Sequence, residues 1–95
     1  EDDSVESMVA DFEANGANKN NEEILTLFAE NVGAATDWLV ASCGIEFEPG
    51  LHQLGEYSHN RELAYTGGGA GFAERMRKAV ESSGATVYLS TKVES

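Results

Sequence analysis

The sequence is poor in basic residues, and this shortage excludes several classes of function. Of its 95 residues only 6 are Lys or Arg, against 17 Asp or Glu, so the formal net charge is −11 at pH 7. Binding to nucleic acid or to anionic membrane requires basic groups that face phosphates. We therefore expect no nucleic-acid partner and no membrane partner, and we expect the acidic residues to form a solvated surface.

Cysteine and long apolar runs are scarce as well. Cys43 is the only cysteine, so the chain can form no internal disulfide and no cysteine-based metal site. Its position after an apolar helix end predicts a small buried hydrophobic residue. No apolar run reaches transmembrane length, and no basic segment precedes an apolar run at the start, as a signal peptide would require. We expect a soluble chain, with a cytoplasmic location favoured.

The sequence does contain enough apolar residues for one small domain. Hydrophobic residues make up 41% of it, an ordinary value that argues against wholesale disorder. A chain of this length can bury a core, but a thin one. The sequence opens on Glu1-Asp2-Asp3 without an initiator Met, and we interpret residues 1–95 as a single fragment of a larger protein.

Apolar periodicity predicts three or four helices. The first begins after a cap at Asp3 and ends at Asn15-Gly16. The second region, 22–42, is either one bent helix or two helices, and Gly44 ends it. The last helix is predicted from about 70 to 83. Within the second region Trp38 lies on an apolar stripe, so we predict that it is a core anchor.

Two short segments have strand patterns. Residues 45–48 alternate between apolar and polar, and residues 86–93 are rich in β-formers with alternate apolar positions. A lone strand needs a neighbour for its backbone groups. Residues 86–93 should therefore pair with residues 45–48, pair with a second copy, or fray, and a homodimer through this C-terminal strand is the preferred outcome. The predicted fold is α+β, with three or four helices and one or two short strands.

Residues 51–65 show no periodicity, and loops of this length tend to be functional or to pack against something else. His52 and His59 have no metal-ligand spacing, so no metal site is predicted. Ser58, His59 and Asp37 could be combined into a triad, but no strained nucleophile motif surrounds the serine. The residues alone therefore show no active site.

The most informative segment is 65–72, where four glycines in five positions lead into an amphipathic helix. The N-terminus of a helix presents free N–H groups and a partial positive charge, and glycines allow a ligand or another backbone to approach closely. The segment lacks the GxGxxG spacing, so it is not a dinucleotide fingerprint. The alternative to a ligand-binding segment is a flexible loop whose glycines weaken the start of the following helix.

A series of motifs runs in a fixed order along nearly the whole chain. Its members are Asp37-Trp38-Leu39, Gly44 to Phe47, Gly55 to Arg61, Thr66 to Gly71, and Leu89 to Val93. This series resembles the flavoprotein subunit of fumarate reductase and succinate dehydrogenase, a family of FAD-dependent oxidoreductases. The resemblance implies that the chain is an internal piece of a larger α/β FAD-binding domain. In the intact enzyme it implies hydride transfer between the flavin and a carbon–carbon double bond.

The resemblance also implies which residues contact FAD in the intact parent. They are Thr66, Gly67, Gly68, Gly69 and Gly71 beside the flavin, and Val93 beside the adenine. The family's pyrophosphate-binding turn, acidic ribose ligand and catalytic residues have no counterpart here. The isolated chain is therefore expected to be inactive and to bind FAD weakly or not at all, with the remainder of the flavoprotein as its partner. The alternative function is an acidic helical protein-interaction module with no enzymatic parent.

Overall fold

A computed structural model describes residues 3–95, and that part of the chain folds into three α-helices joined by loops. The helices are α1 (Val5–Asn15), α2 (Glu22–Cys43) and α3 (Gly68–Ser83). Residues 3–95 contain no strand, only two isolated antiparallel bridges, Phe47 with Tyr65 and His52 with Glu62. The α+β prediction is therefore wrong, because the fold is small and all-helical.

Side-chain caps explain where the first two helices begin. Ser4, not Asp3, is the cap of α1, and its hydroxyl accepts the N–H three residues further on at 3.0 Å. The Asn21 side chain caps α2 in the same way at 3.1 Å. α2 then runs without a break through Gly33 and ends at Gly44, which adopts a left-handed φ of 69°. The predicted stop at Gly44 is confirmed.

The segment of residues 45–48 does find a backbone partner, but it is not the C-terminal segment. The Glu48 N–H donates to the Ala64 carbonyl at 2.8 Å, and the Thr66 N–H donates to the Glu46 carbonyl at 2.9 Å. These bonds close a long loop, residues 46–66, directly before α3. These hydrogen bonds are too few to make a β-strand.

Residues 86–93 consequently form no strand, although their side chains favour one. The partner that the sequence offered them, residues 45–48, is already bonded to Ala64 and Thr66, and a strand needs a ladder neighbour. Tyr88 and Leu89 are exposed, and Val93 is 89% exposed. The predicted C-terminal strand is therefore wrong, whereas the homodimer through this segment stays a prediction.

The core is thin and lies along α2 and just beyond its C-terminal end. The buried hydrophobic residues in the described part of the chain are Ala29, Cys43 and Ile45, and Ile45 is only 1% exposed. The burial of Cys43 confirms the sequence-based prediction. Trp38 is 57% exposed, so the prediction that it anchors the core is wrong. α2 contacts both α1 and α3, and its two buried residues, Ala29 and Cys43, lie on the side of the helix opposite Trp38.

Candidate functional site

The start of α3 brings together five of the six residues predicted to contact FAD. They are Thr66, Gly67, Gly68, Gly69 and Gly71. Gly67 and Gly68 have left-handed φ values of 80° and 67°, which a residue with a side chain would adopt only with strain. No side chain caps this helix, and its first turn contains no acidic residue. The N–H groups at its start therefore lack a side-chain acceptor from within the helix.

At Gly71 the backbone of this turn packs closely against the backbone of Thr66. A Cβ at this position would overlap the carbonyl oxygen of Thr66. The Gly71 N–H donates to the Gly67 carbonyl at 3.1 Å, and the Arg75 guanidinium donates to the Thr66 carbonyl at 2.7 Å. Gly69, by contrast, has open space where a Cβ would lie. Close backbone approach therefore requires glycine at position 71 but not at position 69.

Three aromatic rings hold this turn against the loop that precedes it. The Tyr65 ring lies 5.3 Å from that of Phe47 and 4.6 Å from that of Phe72, measured between ring centroids. Phe47 and Tyr65 also face each other in a backbone bridge. Rings at these separations attract one another beyond their burial. The start of α3 is thus fixed by a stack that includes a residue on either side of the glycines.

Val93, the sixth predicted contact, lies in the C-terminal segment, outside every helix and bridge of residues 3–95. This segment follows α3, and a groove of about 710 Å³ separates Met76 and Val80 from Val87 and Leu89. The assignment of Val93 to adenine stays a prediction.

An ion-pair network joins α1 to the loop of residues 46–66. The Arg61 side chain, only 10% exposed, contacts Asp3 at 2.6 Å and Asp11 at 2.9 Å. A second nitrogen of the guanidinium donates to Asp3 at 2.8 Å, so this pair is bidentate. Hydrogen bonds from Arg61 lower the pKa of Asp3 to about 2. The Asp3 carboxylate in turn raises the pKa of Arg61.

Ser58 and His59 belong to this network, whereas Asp37 does not. The N–H and the hydroxyl of Ser58 both donate to Asp11, at 2.8 and 2.7 Å, and these bonds, with Arg61, lower the pKa of Asp11. His59 Nδ1 lies 2.9 Å from Ser58 Oγ. A catalytic serine is activated by a base that a third group orients, but here the Ser58 hydroxyl donates to the Asp11 carboxylate, which is already paired with Arg61. The cluster is therefore a structural junction.

An apolar groove of about 420 Å³ lies between α1, α2 and the loop. Three rings line it, since Phe12 stacks on Tyr57 at 5.1 Å and lies 6.1 Å from Phe28. Asp37 lines it from α2, and Arg61, its one cationic residue within the described chain, is already paired. The groove therefore offers apolar contact area but no aligned acid, base or nucleophile.

The part of the chain described by the structure contains no group of three or more His, Cys, Asp or Glu placed to hold a metal ion. None of its three helices combines the length and the apolar character needed to cross a bilayer.

Comparisons with protein-family models, with curated proteins and with solved structures give no match for this chain. The resemblance to fumarate reductase flavoproteins therefore stays a prediction that rests on the motifs quoted above.

Proposed function

We propose that this chain is a segment of an FAD-dependent oxidoreductase of the fumarate reductase type, and that it functions only when it is packed against the rest of that protein. The start of α3 is the observation that supports this proposal most. It combines an uncapped helix N-terminus with a glycine, Gly71, that backbone packing requires. It also stands at the expected place in the series of motifs.

The residues at the start of α3 suit contact with an anionic group. Backbone N–H groups at a helix N-terminus bind phosphate or carboxylate oxygens, and glycines leave room for close approach. Gly67, Gly68 and Gly69 are exposed, so they can contact a cofactor but cannot enclose it. FAD, when bound, would supply the hydride chemistry, and this chain would contribute orientation.

The incomplete burial of the chain supports the same proposal. Ile45 is the one large side chain in residues 3–95 that is fully buried, whereas the large hydrophobic residues of the C-terminal segment, Val87, Tyr88, Leu89 and Val93, are 57 to 89% exposed. Exposed apolar surface of this extent is typical of a face that other protein covers. In a larger domain this C-terminal segment would be buried against the rest of the protein.

Titration with FAD, followed by flavin fluorescence, tests the proposal. The chain alone should show no saturable binding, because it lacks the pyrophosphate-binding turn. The same chain expressed with its flanking coding sequence should bind FAD in a 1:1 complex, and Gly71→Ala should weaken that complex. Gly33→Ala, in the middle of α2 with open space around it, is the matched control and should have no effect. A sub-micromolar 1:1 complex with the isolated chain would contradict the proposal.

A further inference from the structure

The outer face of α2 is apolar, exposed and regularly spaced. Its side chains alternate three and four positions apart, the spacing of a seam between two helices. They are Ile24, Leu27, Asn31, Ala34, Trp38 and Ala41. Ile24, Leu27 and Trp38 are 66, 62 and 57% exposed. In residues 3–95 the buried residues of α2, Ala29 and Cys43, lie on the opposite side of the helix, and the stripe itself is exposed.

A row of acidic residues borders one edge of this stripe. Glu23, Glu30 and Asp37 are seven residues apart, each directly before a seam position, and all three are exposed. α2 contains no Lys or Arg. The opposite edge carries uncharged residues such as Phe28 and Ala35. Charges beside a helix seam set the choice and orientation of the partner. The face is thus apolar in the middle, negative on one edge and neutral on the other.

We propose that the outer face of α2 binds a basic amphipathic helix of a partner protein. The partner lays its apolar stripe along Ile24, Leu27 and Trp38 and places Lys or Arg opposite the acidic row. Tryptophan is enriched among the residues that contribute most to binding energy, and Trp38 lies on the stripe itself. This inference is independent of the flavin proposal, because it concerns a different surface and a different ligand.

A second copy of the chain suits this face less well than a basic helix. In an antiparallel pair the acidic rows of the two copies would face each other, and like charges at a helix seam repel. Each copy also has a net charge of −11.

Asn31 adds a polar position in the middle of the seam. Its amide nitrogen donates to the Leu27 carbonyl at 2.8 Å, and its side-chain oxygen can accept a bond from a donor on the partner, which would fix the register.

Fluorescence of Trp38, the only tryptophan, provides the test. The full chain is titrated with two synthetic helical peptides of the length of α2 that share one Leu-rich seam. One peptide carries Lys beside the seam and the other carries Glu. The Lys peptide should shift the emission of Trp38 to the blue and saturate. The Glu peptide should bind at least about tenfold more weakly, and added salt should narrow this difference.

Two variants identify the face. The triple variant Glu23→Lys, Glu30→Lys and Asp37→Lys should reverse the preference and bind the Glu peptide more tightly. A matched control, Glu48→Lys, Glu56→Lys and Glu94→Lys, changes the net charge equally at exposed positions outside α2 and should keep the preference for the Lys peptide.

A third variant tests the seam itself. Ile24→Gln with Leu27→Gln should abolish binding while the melting temperature stays unchanged, since both side chains are exposed. The proposal is overturned if neither peptide shifts the emission, if both bind equally, or if the triple variant keeps the original preference. It is also overturned if sedimentation shows a dimer of the chain that this seam variant dissociates, because a second copy is then the occupant.

Discussion

The loop of residues 46–66 and the outer face of α2 differ in how many contacts they make with the rest of the chain. The loop has almost no regular structure, yet two backbone bridges close it and Arg61 ties it to two carboxylates on and beside α1. α2 is a regular helix of 22 residues, yet the apolar stripe on its outer face is exposed in the described chain. The irregular part is thus fixed by specific contacts, while the regular part offers a surface for binding.

Alanine substitutions at two isoleucines, one buried and one exposed, should differ most in their effect on the free energy of unfolding. Ile45→Ala removes a side chain that is 1% exposed, and such truncations cost about 2–5 kcal/mol of the free energy of unfolding. Ile24→Ala makes the same change on the outer face of α2, where the loss should be no more than about 0.5 kcal/mol. Urea denaturation measures both variants. Equal losses would show that the described core is in the wrong place.

Alanine substitutions at Gly71 and Gly69 compare a glycine that close backbone packing requires with one that has open space around it. Gly71→Ala drives a methyl group into the Thr66 carbonyl, and overpacking of this kind costs about 1–3 kcal/mol. Gly69→Ala meets open space within α3 and should be neutral or stabilising by up to about 1 kcal/mol, because alanine favours helix. Thermal melts compare the two variants. A Gly71→Ala chain that melts with the wild type would contradict the close approach seen here.

Substitutions at two arginines compare the ion pairs that hold the loop with the ion pairs on an exposed helix surface. Arg61→Met leaves Asp3 and Asp11 without their cation, whose side chain is only 10% exposed, and should cost about 1.5–3 kcal/mol, the range for hydrogen bonds to charged groups. Arg77→Met removes ion pairs with Glu74 and Glu81 on the exposed face of α3, where the loss of stability should be clearly smaller, because solvent screens exposed ion pairs. If denaturation gives the two variants equal stability, the network at Arg61 does not hold the loop.

Acid should weaken the same network. The pKa of Asp3 falls from 3.8 to about 2 in the folded chain, so the folded state favours the ionised carboxylate. The stabilisation is present above the unfolded value and is lost as the pH drops toward 2. Melting temperatures should therefore fall over that range, and Asp3→Asn should reduce the slope. Asp11, whose pKa is also lowered, keeps part of the slope in that variant. An unchanged slope in Asp3→Asn would contradict the ion pair.

The helices could be predicted from the sequence because their signals are local. Apolar spacing placed all three, Gly44 marked the end of α2 with a left-handed conformation, and Cys43 was correctly assigned to the interior. The cap of α1 was missed by one residue, since Ser4 and Asp3 both suit that position.

The contacts that fix the loop could not be predicted in the same way. Arg61 pairs with residues 50 and 58 positions earlier in the chain, and no spacing rule connects partners so far apart. Trp38 was misplaced because periodicity shows which residues share a face of a helix but not which face the rest of the protein covers. The C-terminal strand was overpredicted because β-propensity does not supply a ladder partner.

Trp38→Ala tests most directly whether the outer face of α2 is uncovered in the isolated chain. Since the indole is 57% exposed, its removal should change the free energy of unfolding by less than about 1 kcal/mol. Urea denaturation followed by circular dichroism gives this value without relying on tryptophan fluorescence. A loss of about 3–5 kcal/mol, the range for a large side chain truncated in a core, would mean that Trp38 is buried and that the face is not available to a partner.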